Sequence, residues 1–283
     1  MAKTTGFDKS KPRAVCRAAI EQSVPPDLWA KNVAYVDELK ALIATHRMSR
    51  HPVKGVLNTE KLNPEVTKAI HLEFAHGFAQ IFTDSLIHAM AQSADLEPRL
   101  GPAGKVTSRF LLQLNLLDEL GFFPNDEVTG DYWGTPFLAH YIQFVKTLES
   151  LGSSASEILN YKPSPASKAA RKTFTDHYND YVLLTAVLAC AETVFTLYAG
   201  PWAKSVSLST DIDTSEGYHA IHVDDEHGES IDDDHSEDSW YIFRQAIVPE
   251  RYDEVKKRVT IWLDLWNDFA DNTMHLARTL KKK

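Results

Sequence analysis

The chain has 283 residues, 43% of them hydrophobic, and a formal net charge of −9, which allows one large domain or two ordinary ones. Its only basic cluster is Lys281-Lys282-Lys283, so nucleic acid and anionic membrane surfaces are not expected as partners. Cys16 and Cys190 are the only cysteines, which argues against a disulfide framework or a cysteine-based zinc site. Without a signal peptide or an apolar run of about 20 residues, we expect a cytoplasmic protein.

The predicted elements are helical from the start of the chain. Residues 1–25 are polar and predict a loosely tied arm, followed by a single domain over 26–283. Asp27 caps a first helix predicted at about 27–47, and Asn63-Pro64 starts a second at about 64–92. The remaining helices are expected at 107–120 (stopped by Gly121), 135–152 (opened by Thr135-Pro136), 166–199 (ended by Gly200-Pro201), within 215–246, and at 250–280.

The apolar residues follow the helical period, and no alternating run flanked by turn residues predicts a sheet. No repeat of 30 to 45 residues predicts a helical solenoid. The sequence therefore predicts an all-α bundle of about seven helices.

An acidic segment interrupts this pattern. From Asp211 to Trp240 there are twelve Asp or Glu and no Lys or Arg, a local charge of −12 that exceeds the net −9 of the whole chain. The second half, HGESIDDDHSEDSW at 227–240, adds two histidines. This segment is either a solvated acidic loop or one whose side chains hold a cation.

Three further side chains lie on apolar helix faces, where an unpaired charge is costly to bury. Glu119 falls beside large aliphatic residues and either reaches solvent, pairs with Arg109 or binds a ligand. His140 is either a hydrogen-bonded core histidine or a metal ligand. Glu192 is the only carboxylate or base between Tyr181 and Gly200, and therefore must be neutral, ion-paired or bound to metal.

The histidines of the acidic segment are regularly spaced. His219-x4-Asp224-x2-His227 is followed by His227-x4-Asp232-x2-His235, and Asp and His three residues apart share a helix face. Oxygen and imidazole donors without a thiolate suit iron, manganese or zinc.

Helix two carries a weaker candidate, Glu73-x2-His76 with His71 nearby, which has the spacing used in ferritin-like di-iron bundles. A ferritin-like site needs two such elements and two further glutamates. We therefore treat this element as secondary to the carboxylates and histidines described above.

Four segments resemble, in order, the heme-oxygenase-like di-iron oxidases, whose fold is shared with heme oxygenase, TenA-like proteins and pyrroloquinoline quinone synthase. The resemblance covers about residues 50–245. Its segments are NLLDELG at 115–121, FLAHYIQFVKTLESLG at 137–152, LACAETVFTLYAG at 188–200 and IDDDHSEDSW at 231–240. It implies a heme-oxygenase-like bundle that binds two Fe(II) ions and uses O2 to oxidise an amino acid, amine or fatty acid in specialised metabolism.

The resemblance also implies the metal ligands. They are Glu119, His140, Glu192, His227, Asp232 and His235. Gly228 stands where the family's His-x3-Asp-x2-His element has its first histidine, so that ligand is displaced to His227 or supplied by His222. The implied reactions are N-oxygenation, desaturation, C–C cleavage or nitrile formation. The resemblance is also compatible with an external electron donor and with a homodimer.

Two other functions remain open from the sequence. One is a metal-free TenA-like hydrolase with Cys190 as nucleophile, although no basic neighbour is evident to form its thiolate. The other is a non-enzymatic helical protein whose acidic loop recruits a basic partner. Heme binding is disfavoured because no histidine lies near residue 30. The expected pocket walls, if they are not simply core, are Phe74, Phe78, Phe110 and Trp240.

Overall fold

The structure is a computed structural model that describes residues 11–124, 132–222 and 231–279. The first half contains α1 (Pro12–Gln22), α2 (Pro26–Thr45), α3 (Val53–Thr59), α4 (Pro64–Phe74), α5 (Gln80–Gln92) and α6 (Glu97–Glu119). The second half contains α7 (His140–Ser150), α8 (Ala155–Leu159), α9 (Pro165–Thr175), α10 (Tyr181–Thr196), α11 (Ala199–Ser209), α12 (Tyr218–Ile221), α13 (Ile231–Ala246) and α14 (Tyr252–Thr279). The predicted all-α bundle is confirmed.

Residues 11–25 form a packed helical segment that their polar composition did not predict. Pro12 begins α1, a position where proline removes no helical hydrogen bond, and Cys16 and Ile20 of this helix are buried. Its basic residues Arg13 and Arg17 pair with the buried Asp238 of α13. The prediction of a loose arm is therefore wrong for residues 11–25, because their polar side chains serve ion pairs within the fold.

Several predicted helix boundaries differ from the structure. The helix predicted at 107–120 begins earlier, at Glu97, and has a kink at Gly101. The stretch 166–199 is divided into α9 and α10, and the Asp180 side chain starts α10 by accepting a hydrogen bond from the Leu183 amide at 3.0 Å. Gly200-Pro201 does not end a helix but lies in the first turn of α11, where amide groups have no partner inside the helix and proline is tolerated.

Three local features were not predicted. A π-helical turn, Ala75–Ala79, joins α4 to α5 within the expected helix two. A short antiparallel hairpin pairs β1 (Phe122–Pro124) with β2 (Tyr132–Gly134). Thr135-Pro136 opens only a 3₁₀ turn, Pro136–Leu138, and the α-helix itself starts at His140.

The centre of the bundle is α10, in which every residue from Leu183 to Glu192 is buried. Residues from α1 through α14 contribute to one continuous hydrophobic core around it. No single helix in the described ranges is long and apolar enough to cross a membrane; the bent pair α10 and α11 meets those criteria only when the two are taken together, as buried core helices also can.

Candidate metal site and cavity

A cavity of about 100 Å³ opens beside α10, and its polar end is formed by Glu119, His140, Glu192 and His222. The rest of the wall is largely aromatic and includes Phe74, Phe78, Phe195, Trp202, Tyr218 and Trp266. No Lys or Arg lines the cavity among the residues that the structure describes. Three predicted ligands and the substitute ligand His222 therefore face one apolar space.

Glu119 and His140 meet because the two ends of the connection between α6 and α7 pack against each other. Gly121, with φ +80°, lies two residues after the end of α6, and an added Cβ there would lie 2.6 Å from the nitrogen of Ala139, which precedes the first residue of α7, His140. Nδ1 of His140 lies 3.3 Å from Oε1 of Glu119, and both side chains are buried. Burial alone would raise the pKa of Glu119, but His140, His222 and His235 outweigh it and bring the pKa below its usual value.

Asp118 is a carboxylate of this site that sequence reasoning missed. Its Oδ2 lies 3.7 Å from Nε2 of His140 and 3.4 Å from Nε2 of His235, which comes from α13. The carboxylate therefore faces two predicted ligand histidines from different helices. The sequence hint was its place beside Glu119 in the last turn of α6, where neighbouring side chains can both reach the helix end.

Glu192 lies four residues before the end of α10, and its side chain accepts a hydrogen bond from an amide. Nδ2 of Asn115 donates a hydrogen bond of 3.3 Å to Oε1 of Glu192. Asn115 lies one turn before Glu119 on the same face of α6, so this face presents two polar groups to the site. Asn115 was missed, although a buried amide on an apolar helix face could have drawn attention to it.

The histidines of the acidic segment differ in where the structure places them. His222, at the end of α12, lines the cavity with its ring centroid 5.0 Å from that of His140. His235 is buried on α13 and faces Asp118. His227, and the side chain of Asp232, lie outside the described residues.

As placed, the donors contact one another rather than surround a common point. No group of three or more His, Cys, Asp or Glu side chains within 11–124, 132–222 and 231–279 has the spacing of a preformed metal site. The chemistry of the donor set nevertheless suits iron, since carboxylates and imidazoles converge without a thiolate. The carboxylates Asp118, Glu119 and Glu192 have no Lys or Arg in the cavity to balance them.

The Glu73 side chain of the Glu73-x2-His76 element is used elsewhere. It accepts hydrogen bonds from the Tyr161 hydroxyl at 2.5 Å, and from the Ser164 amide and hydroxyl at 3.0 and 2.6 Å. These contacts anchor the start of α9, and Glu73 does not line the cavity. The ferritin-like interpretation therefore has no support from this residue.

The structure agrees with only some of the other contacts predicted from the sequence. Arg109 donates to the Met90 carbonyl and to the Ser93 hydroxyl, not to Glu119. Phe74 and Phe78 line the cavity as expected, whereas Phe110 is exposed and Trp240 is in the core, where its indole N–H donates to Thr193. Cys190 is fully buried outside the cavity and burial raises its thiol pKa, which does not favour a nucleophilic thiolate.

No known protein family and no curated protein matches this chain. A solved structure does: a "CADD-like protein of unknown function" from Nostoc punctiforme PCC 73102 matches with a TM-score of 0.60 over 86% of this chain and 99% of that chain. The two are 17% identical. The chain thus shares the helical fold of that protein, and identity this low shows the fold alone.

Proposed function

We propose that this protein is a non-heme di-iron oxidase that uses O2 to oxidise a small organic molecule. The observation that carries the proposal is the convergence of Glu119, His140, Glu192 and His222 at one end of an apolar cavity. These residues come from four separate parts of the chain, and their order agrees with the sequence resemblance to heme-oxygenase-like di-iron oxidases. The fold shared with a CADD-like protein is consistent with it.

The residues that would hold iron are Glu119, His140, Glu192, His222 and His235, with Asp232 as a further donor from the sequence. Iron held there would supply the redox chemistry needed to activate O2. The chain itself supplies the surroundings. Asn115 donates a hydrogen bond to Glu192, Asp118 faces the ring nitrogens of His140 and His235, and aromatic side chains line most of the rest of the cavity.

The cavity also narrows the substrate class. Its ionisable groups are gathered at one end, and the rest of the wall offers apolar and aromatic surface. A cavity of about 100 Å³ has room for a small molecule of several heavy atoms. A zwitterionic amino acid would bury a second charge without a partner, which is costly. We therefore favour a substrate with an apolar body and one polar group, such as a fatty acid or a hydrophobic amine.

Anaerobic loading of the purified chain with Fe(II), followed by metal analysis and measurement of O2 consumption, tests the proposal. We expect about two irons per chain. Glu192→Ala should abolish both iron binding and O2 consumption. Glu73→Gln is a matched control, because both glutamates are 5% exposed but Glu73 lies outside the cavity. Unchanged iron binding in Glu192→Ala, with the fold checked by circular dichroism, would overturn the assignment.

A further inference from the structure

A second group of imidazoles lies behind the aromatic wall. His71 of α4 and His219 of α12 face each other with ring centroids 5.4 Å apart and planes at 83°. Both line a small side cavity whose other walls include Phe144, Trp202 and Tyr218. His222 also lines this side cavity, and is the one histidine shared with the main cavity.

The hydrogen bonding of His71 determines which ring nitrogen carries the proton. Nδ1 of His71 lies 2.7 Å from the carbonyl oxygen of Thr67, one turn earlier on α4. A carbonyl can only accept, so Nδ1 carries the hydrogen and Nε2 presents a lone pair. Metal-ligating histidines show this arrangement, in which the nitrogen away from the metal donates to a backbone carbonyl or a carboxylate.

Both Nε2 atoms lack a hydrogen-bond partner among the described residues. Nε2 of His71 and Nε2 of His219 are each buried, and the two residues are 1% and 5% exposed. Burial lowers the pKa of His71 to about 4 and that of His219 to about 3, so both rings are neutral at physiological pH. Buried polar atoms without a partner are unfavourable, and for His71 the unpartnered Nε2 is an acceptor, which indicates that a ligand contacts these ring nitrogens.

The composition of the walls selects the kind of ligand. No carboxylate lines the side cavity in the described ranges, so a divalent ion held by neutral imidazoles would keep an uncompensated double charge in apolar surroundings. A monovalent d¹⁰ ion carries half that charge, and imidazole is a good copper ligand. Aromatic faces stabilise a monovalent cation further, and the Trp202 ring centroid lies 5.4 Å from that of His71.

We propose that His71 and His219 form a binding site for a single monovalent copper ion, Cu(I), separate from the iron site proposed above. The inference does not depend on the proposed oxidase function, because none of its observations involves Glu119, His140 or Glu192.

Anaerobic titration of the full-length chain with Cu(I), in competition with the chelator bicinchoninate, tests this site. We expect one Cu(I) per chain, with affinity lowered about 100-fold or more by His71→Leu and by His219→Leu. His88→Leu is the control, since His88 stacks on Tyr178 away from both cavities. Affinities that are equal in the two variants and the control, or no binding by the wild-type chain, would overturn the proposal and leave a buried water as the occupant.

X-ray absorption of the Cu(I)-loaded wild-type chain gives a test that does not depend on a variant folding. Low-coordinate nitrogen ligation is expected, and sulfur ligation would transfer the ion to Met48 or a cysteine and contradict the proposal. Glu192→Ala should bind Cu(I) like the wild type. Loss of copper in that variant would place the ion at the main cavity and also overturn the proposed site.

Discussion

Asp118 lies between two imidazoles that reach it from different helices. His140 starts α7 and His235 is in the second turn of α13, and each directs Nε2 towards the same carboxylate oxygen. A carboxylate on the ring nitrogen that does not bind metal fixes the tautomer and orientation of a ligand histidine. His140 is contacted on both sides, since its Nδ1 faces Glu119. Asp118 therefore serves best as a positioning residue for the proposed iron site.

This role predicts the behaviour of Asp118→Asn. The amide has nearly the same shape but cannot balance the histidines' charge, so we expect Fe(II) affinity to fall by about 10- to 100-fold while the fold is retained. Equilibrium titration with Fe(II) measures the change. Asp84→Asn, at an exposed position of α5, should leave the affinity as in the wild type. Equal affinities in the two variants would show that Asp118 has no part in the site.

The turn after α6 brings Glu119 close to His140. Gly121 has φ +80°, and an added Cβ would lie 2.6 Å from the Ala139 nitrogen and 2.8 Å from the Thr135 oxygen. Gly152 has φ +86° after α7, but nothing lies within 4 Å of an added Cβ there. The two glycines thus share the backbone requirement and differ in the space around them.

Substituting alanine for each glycine separates the cost of the left-handed backbone from the cost of the steric clash. Gly152→Ala should cost about 1–2 kcal/mol of unfolding free energy from the left-handed backbone alone. Gly121→Ala should cost more and should also weaken Fe(II) binding, because the start of α7 must move away from Glu119. Urea unfolding and Fe(II) titration of both variants provide the comparison. Equal destabilisation, with iron binding intact in Gly121→Ala, would contradict this account of the turn.

Asp180 combines two roles at the start of α10. It caps the helix through the Leu183 amide and pairs with Arg251 through two hydrogen bonds of 2.8 and 2.7 Å. Burial would raise the pKa of Asp180, but these hydrogen bonds outweigh it and lower the pKa below its usual value. The folded state therefore favours the carboxylate, and this stabilisation is present above the unfolded-state pKa and lost as pH falls through the folded-state pKa.

Asp180→Asn keeps a capping oxygen and removes the charge. We expect it to lower the free energy of unfolding at pH 7 by about 1 kcal/mol, since the pair is partly exposed to solvent. Below about pH 4 the difference from the wild type should begin to shrink, because Asp180 of the unfolded wild-type chain is then protonated, and it should be lost as pH falls through the lower folded-state pKa. Urea unfolding at several pH values measures this. A difference that is constant from pH 7 to pH 3 would exclude the ion pair as its source.

The helices that sequence reasoning identified well have local start or stop residues. Asn63 caps α4 with Pro64 at its first position, and Gly121 and Gly152 take the left-handed conformation that ends a helix. The boundaries that were missed depend on the rest of the molecule. The break before Tyr181 lacks Gly or Pro, and α11 continues through Gly200-Pro201 because that pair falls in its first turn.

The site was predictable only as far as single helices reveal it. The sequence indicated Glu119, His140 and Glu192 because each is a polar residue on an apolar helix face. All three side chains line the polar end of the cavity. The contributions of Asn115 and Asp118 depend on which helices pack against α6, and a sequence read one helix at a time does not contain that information. His222 lies at the cavity for the same reason, through the position of α12 against α7.

At the scale of the whole molecule, α1 neutralises a charge that α13 buries. Asp238 has a side chain only 1% exposed and pairs with Arg13 and with Arg17, the latter at 2.6 Å. Burial raises the pKa of Asp238 even though both arginines oppose it. Asp238 follows His235 by three residues on α13, so the N-terminal helix supports the element that carries a predicted iron ligand.

The double variant Arg13→Gln, Arg17→Gln leaves this carboxylate buried without a cation, and we expect the free energy of unfolding to fall by about 3 kcal/mol. Asp238→Asn in the same background should restore part of the loss, because the amide carries no charge. Lys40→Gln is a matched control on the neighbouring Glu237, whose side chain is 35% exposed, and should cost about 1 kcal/mol or less. Urea unfolding of the wild type and these three variants measures the changes in unfolding free energy. If the double variant is no less stable than Lys40→Gln, or if Asp238→Asn restores no stability, α1 does not act by stabilising the charge of Asp238.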